Sequence, residues 1–309
     1  MDQFRNHPLY RMHNIDSAMN SLWEFYKKNF LFLFIPSFIM SLVIQYISSL
    51  VNIKDLQAVT DPMEILEKAK DLILPMVIIS LITLLFSTII HYYIIYNPGY
   101  RKKNIFVPAI RSLRYFVPYI IIMILLAFAG SFAIILGLFV LIIGVFFSLL
   151  YVMTLYLFIL PTMMVEGADI GNTIRRIFKL AHHGFWSNIG WVSVFLILLI
   201  VISVILSSII LLPFSGSFFR VIFNPENAES LVDLSKNPIY VILSALVNAL
   251  TFPLMPIFAC ILYFNGKAKE EKLQSIIPEN QEDGKVRVED LYAKPYSEEH
   301  PDNPEIRDK

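Results

Sequence analysis

Residues 115–165 read YFVPYIIIMILLAFAGSFAIILGLFVLIIGVFFSLLYVMTLYLFILPTMMV, 51 positions without one Asp, Glu, Lys or Arg. As one helix this stretch would run about 75 Å, far more than the roughly 30 Å of hydrocarbon in a bilayer. The chain therefore has to cross, turn and cross again. Gly137 and Gly144 bracket the expected turn, giving spans near residues 117–136 and 141–164. The same glycines also suit a close helix contact, because small residues let membrane helices approach each other.

Four further stretches lack charge: residues 29–53, 72–100, 180–219 and 237–266. Each fits one crossing, at residues 30–50, 72–96, 187–212 and 238–264, which brings the expected count to six spans. The composition agrees. Apolar residues make up 56% and charged residues 16% of the chain, against about 45–50% and about 25% in soluble domains. Too few residues remain to build a soluble shell around six buried helices. The expected fold is all-α, an integral membrane six-helix bundle.

The 25 basic and 25 acidic residues cancel, which argues against a nucleic-acid partner. A single cysteine, Cys260, excludes an internal disulfide or a thiolate metal cluster within one chain. Lys and Arg set the orientation. Twelve of them lie on one side: Arg5, Arg11, Lys27, Lys28, then Arg101, Lys102, Lys103, Arg111, Arg114, then Arg175, Arg176 and Lys179. The opposite loops carry five, beside eight acids. Both termini are thus expected in the cytoplasm. The first 29 residues do not read as a cleavable signal, since the polar lead is long and no small-residue cleavage site follows.

A helical pattern recurs before the hairpins. At a shift of 155 residues, Ile15, Met19, Leu22, Trp23 and Tyr26 meet Ile170, Ile174, Ile177, Phe178 and Ala181, one apolar face in each copy. A looser third copy places Phe106, Ile110 and Leu113 on that face, with Pro108 acceptable only in a first helical turn. The chain reads as three repeats of a cytoplasmic amphipathic helix plus a transmembrane hairpin. Helices of this kind lie in the membrane interface with their cations among lipid headgroups. The candidate headgroup contacts are Arg101, Lys102, Lys103, Arg111, Arg114, Arg175, Arg176 and Lys179. A plainer reading has these helices only capping the bundle and setting its topology.

Residues 1–29 form the N-terminal segment, 30–265 the six-span domain and 266–309 a cytoplasmic tail. The tail from Lys267 holds 8 basic and 12 acidic residues and several prolines, so disorder is expected beyond about Ile277. Residues 286–296 are its candidate docking stretch for a protein partner.

No ionised residue lies at a span centre, which speaks against proton-coupled transport. Ser80, Thr83 and Ser87 share one face of span two, while Asn248 and Thr251 lie in span six. They are bundle-steadying groups or the lining of a polar path. Pro253 and Pro256, close to Asn248, mark span six as the helix expected to break. His91, His182 and His183 read as interfacial anchors rather than a metal set. Without HExxH, a phosphate-binding glycine loop or an arguable Ser–His–Asp set, no catalytic residue, metal or cofactor is expected.

Pro161 with Glu166–Gly167, then Arg175–Arg176 and Gly184–Phe185–Trp186, resembles the region after span four in certain bacterial six-span families. These include the membrane domain attached to some glycerophosphoryl diester phosphodiesterases and related uncharacterised inner-membrane proteins. Leu262–Tyr263–Phe264 followed by Lys267, Lys269, Glu270 and Glu271 is similar to their aromatic-then-charged ending, although Asn265–Gly266 stands where an acidic–basic pair is usual. The resemblance covers roughly residues 15–275 and implies a bacterial cytoplasmic membrane. A tail of 43 residues cannot hold the phosphodiesterase's catalytic barrel, so no activity is carried over. The expected role is non-catalytic organisation of membrane lipids or partner proteins at the cytoplasmic face. The alternative is a transporter or lipid-translocating protein with its path near Asn248 and the kinked sixth span.

Overall fold

The computed structural model describes residues 4–50, 62–96, 106–216, 223, 234 and 236–276. Arg101, Lys102, Lys103 and the 286–296 stretch lie outside the described residues, as does the tail expected to be disordered. Every regular element described is helical, as a chain in hydrocarbon requires, because a helix satisfies its backbone groups within itself. A short α1 (Ile15–Lys28) precedes α2 (Phe30–Leu50), α3 (Pro62–Tyr96), α4 (Phe106–Phe139) and α5 (Leu141–Glu166). A second short helix, α6 (Ile170–His182), leads to α7 (Phe185–Ile210), α8 (Pro238–Thr251) and α9 (Leu254–Ile276).

Among the described residues, six helical segments are long and apolar enough to span a membrane: Phe30–Leu50, Lys70–Tyr96, Val107–Phe139, Ile142–Glu166, Phe185–Ile210 and Pro238–Leu273. The hairpin turns where expected. Only Val140 separates α4 from α5, and its N–H donates to the Gly137 carbonyl at 3.0 Å. A Cβ on Gly137 would stand 2.7 Å from the Gly144 carbonyl oxygen, and one on Gly144 would collide with the Gly137 carbonyl. The glycines mark a turn and a close approach at once, because a one-residue turn forces the two helix ends together.

The short helix before each hairpin is separate at two of its three positions. Before span three, α4 begins at Phe106 and runs unbroken into the membrane, with Pro108 in its first turn. Ile110 and Leu113 on this segment are exposed. Nothing local stops the helix there, whereas Asn29 ends α1 and Gly184, at φ +89, parts α6 from α7.

The helix α1 does not lie flat with its apolar face in lipid. Its His13 N–H, just ahead of the helix, donates to Asn265 Oδ1, and its Tyr26 hydroxyl donates to the Leu250 carbonyl, each at 2.9 Å. Those ties sit at opposite ends of α1 and about 20 Å apart by helical rise, so α1 runs alongside span six in the opposite direction. Ala18, Leu22, Phe25 and Tyr26 are buried by protein. Packing against the bundle gives that face more cover than an acyl boundary would. In α6 the covered side is Thr173, Ile177, Leu180 and Ala181, while Phe178 stays exposed.

Span six is the centre of the bundle. Of its apolar window 72% is buried, against 17% for spans two, three and five, whose outer faces are left for lipid. Phe258 is stacked flat on Phe195 of α7 at 4.0 Å. The span breaks at Phe252–Pro253, between α8 and α9. Pro253 and Pro256 have no N–H for the carbonyls one turn back, at Ala249 and Phe252. Six crossings leave α1, α6 and the end of span six on one face, the terminal face. From Lys269 the chain belongs to a separate unit, whose described part is helical as far as Ile276.

Candidate functional site

A cavity of about 830 Å³ lies among the spans, and all six line it. Met40 and Ser41 come from span one, Thr83 from span two, Met123 and Gly130 from span three, Val152 and Tyr156 from span four, Leu199 and Ser203 from span five, and Asn248, Thr251 and Met255 from span six. Along their helices Ser41 stands about 16 Å from Phe30, Thr83 about 20 Å from Tyr96 and Tyr156 about 15 Å from Glu166. In a hydrocarbon layer of roughly 30 Å these positions are at mid-depth.

Thr83, Asn248 and Thr251 are thus brought together. Ser80 and Ser87 are not: Ser80 is exposed away from the cavity, and Ser87 is buried with its Oγ 3.4 Å from His91 Nδ1. One helical face spreads over too wide an arc for all three hydroxyls to meet the same space. Ser41, Ser131, Ser203 and Tyr156 join the lining without having been expected. The signal for Ser41 was its spacing from Ser37, a small-residue pair one turn apart of the kind found where membrane helices pack closely, and both are buried.

The lining is mainly apolar, and among the described residues no Asp, Glu, Lys, Arg or His is part of it. Several of its hydroxyls are satisfied within their own helices. Thr83 donates to the Ile79 carbonyl at 2.8 Å, Ser131 to Ala127 at 2.8 Å and Thr251 to Val247 at 3.2 Å. Ser41 differs: it is 2% exposed and its Oγ has no partner among the described residues. Asn248 is exposed and stands on the cavity wall.

A second feature lies on the terminal face. Glu166, at the end of α5, receives Arg176 Nε at 2.9 Å, Lys267 Nζ at 3.1 Å and the Tyr263 hydroxyl at 2.8 Å. Gly167 turns the chain here at φ +120, a conformation that L side chains rarely adopt. Asp169 then caps α6, its Oδ1 accepting from the Asn172 N–H at 2.6 Å. The result is a groove of about 410 Å³ bordered by Glu166, Asn172, Arg175, Arg176 and Lys179. Arg176 is committed to Glu166, whereas Arg175 and Lys179 are exposed. On α4, Arg111 is exposed and Arg114 lies over the ring of Tyr115 at 4.5 Å, bonded to its hydroxyl.

The N-terminal segment closes the same face. His7 Nε2–H donates to the Ile94 carbonyl at 2.9 Å, and its Nδ1 accepts from the Leu9 N–H at 3.1 Å. Ile94 belongs to the last turn of α3, whose carbonyls lack partners within the helix. Burial lowers the His7 pKa from 6.5 to about 4, so the ring is neutral with a fixed tautomer. His13 is lowered too, chiefly by burial, and burial raises Tyr26 to about 12.

The histidines weighed as a metal set stay apart. His91 is buried with Nδ1 on the Ser87 carbonyl of its own helix at 2.8 Å, while His182 is exposed and bonded likewise to Phe178. Among the described residues no group of three or more His, Cys, Asp or Glu converges as a metal site would require. Comparison with known proteins adds no relative: no family model matches the chain, and no curated protein or solved structure matches it.

Proposed function

We propose that this is a non-catalytic protein of a bacterial cytoplasmic membrane, with both ends in the cytoplasm, that takes a lipid into its mid-membrane cavity and carries it between leaflets. The observation that supports this reading is the cavity itself, lined by every span and bordered by Thr83, Asn248 and Thr251. A mainly apolar wall with a few polar groups is the general character of a ligand site. The break at Phe252–Pro253 stands beside it, in the span that a carrier would have to bend. Basic residues on the terminal face and the resemblance to bacterial six-span membrane domains support the orientation and location.

Purified protein in liposomes provides the test. Of a set of lipids with a fluorophore on one acyl chain, phospholipid and diacylglycerol among them, at least one should exchange between leaflets several-fold faster than in protein-free vesicles. Asn248→Leu should remove most of that gain. No acceleration for any lipid of the set would contradict the carrier reading.

A second reading is favoured by the groove at α6: a platform that gathers acidic lipids, with the tail as a site for a protein partner. Each cation near an acidic surface contributes about 1 kcal/mol. Arg175→Gln with Lys179→Gln leaves the Glu166–Arg176 pair in place and should reduce enrichment of phosphatidylglycerol around the protein in mixed-lipid nanodiscs. Unchanged enrichment argues for a groove that serves only the fold.

A further inference from the structure

We infer that the mid-membrane cavity takes an uncharged lipid with a free hydroxyl, of the diacylglycerol kind, and that Ser41 and Asn248 are the wall residues that serve that hydroxyl. The inference deepens the carrier reading and rests on it. Two properties of the lining set the ligand's chemistry. The first is the lack, among the described residues, of any Asp, Glu, Lys, Arg or His along it. A phosphate or carboxylate brought to this depth would lose its hydration and meet no counter-charge, a heavy penalty in a low-dielectric interior. A neutral lipid meets no such barrier.

The second is Ser41. A hydroxyl buried without a partner is unfavourable, and most serines and threonines in these spans avoid that state by bonding to the carbonyl one turn back. Ser37, one turn earlier on the same helix, does so with Leu33 at 2.7 Å. Ser41 does not, although it is 2% exposed and borders the cavity. Ser41 stands on the cavity wall with its Oγ enclosed, and a turn of its side chain toward the cavity lets that Oγ donate to a ligand hydroxyl. Asn248, exposed on the same wall, offers both donors and an acceptor. Met40, Met123 and Met255 form part of the remaining wall. Their unbranched, adaptable side chains suit acyl chains of variable shape. The volume of about 830 Å³ is in the upper part of the range for small-molecule sites, as a lipid requires.

The experiment uses the full chain in liposomes with trace diacylglycerol carrying a diazirine on one acyl chain, and phosphatidic acid with the same chains. After irradiation, labelled peptides are identified by mass spectrometry. Diacylglycerol should label spans one and six around Met40–Ser41 and Phe252–Met255, about tenfold more than phosphatidic acid. Ser41→Ala and Asn248→Leu should each lower that label several-fold. Equal labelling by the two lipids in the wild-type protein overturns the inference whatever the variants do. So does equal labelling by the analogue with its hydroxyl methylated. Diacylglycerol labelling without exchange between leaflets would leave this assignment standing and remove the carrier reading. Exchange of phospholipid without diacylglycerol labelling would do the reverse.

Discussion

Single residues decide how the terminal face is closed. His7 satisfies an otherwise unpaired carbonyl at the end of α3 and is held in one tautomer by Leu9. Its folded pKa of about 4 lies below the ordinary 6.5. Between those values the unfolded chain binds more protons than the folded one, so stability is whole above about pH 6.5 and is lost as pH falls toward 4. From pH 7 to pH 5 the loss should be about 2 kcal/mol. Hydrogen exchange of residues 4–14 should accelerate over that interval, and His7→Gln, which keeps a donor but does not titrate, should flatten the response. Ser41 and Glu166 illustrate the limits of reading at this scale. A serine in an apolar helix does not announce that its hydroxyl will lack a partner, and the pairing of Glu166 with Lys267 joins residues 101 positions apart, at the ends of spans four and six.

Among the elements, span six and α1 form a working pair. Prolines 253 and 256 break the span, and the Tyr26 hydroxyl from α1 donates to the Leu250 carbonyl just before the break. Tyr26→Phe should cost about 1–2 kcal/mol in thermal unfolding by leaving that carbonyl without its donor. Exchange at residues 250–257 should rise with it; protection unchanged there would separate α1 from the break. The break was legible because prolines fall inside an apolar run. The course of α1 was not. Its apolar face suits a lipid boundary or a protein neighbour equally, and only the ties from His13 and Tyr26 distinguish them. The third amphipathic segment was misleading for a related reason: the apolar period continues through Arg114 into span three, and nothing in it stops the helix.

For the whole molecule, the crossings follow from the charge-free runs, since ionised groups are costly in hydrocarbon wherever the helices pack. Packing itself is a different matter. Which hydroxyls of a span meet a common space depends on helix rotation, and so Thr83 reaches the cavity while Ser80, three residues earlier, faces away. The central proposal is that the cavity lined by all six spans lies in the hydrocarbon and takes lipid rather than water. A nitroxide on Ser203→Cys, with the buried Cys260 replaced by Ala, tests it most directly in liposomes by power-saturation spectroscopy. The account predicts frequent collisions with oxygen, which dissolves in lipid, and few with a water-soluble nickel chelate. Ready access for the chelate would mean a hydrated path through the bundle and would contradict it.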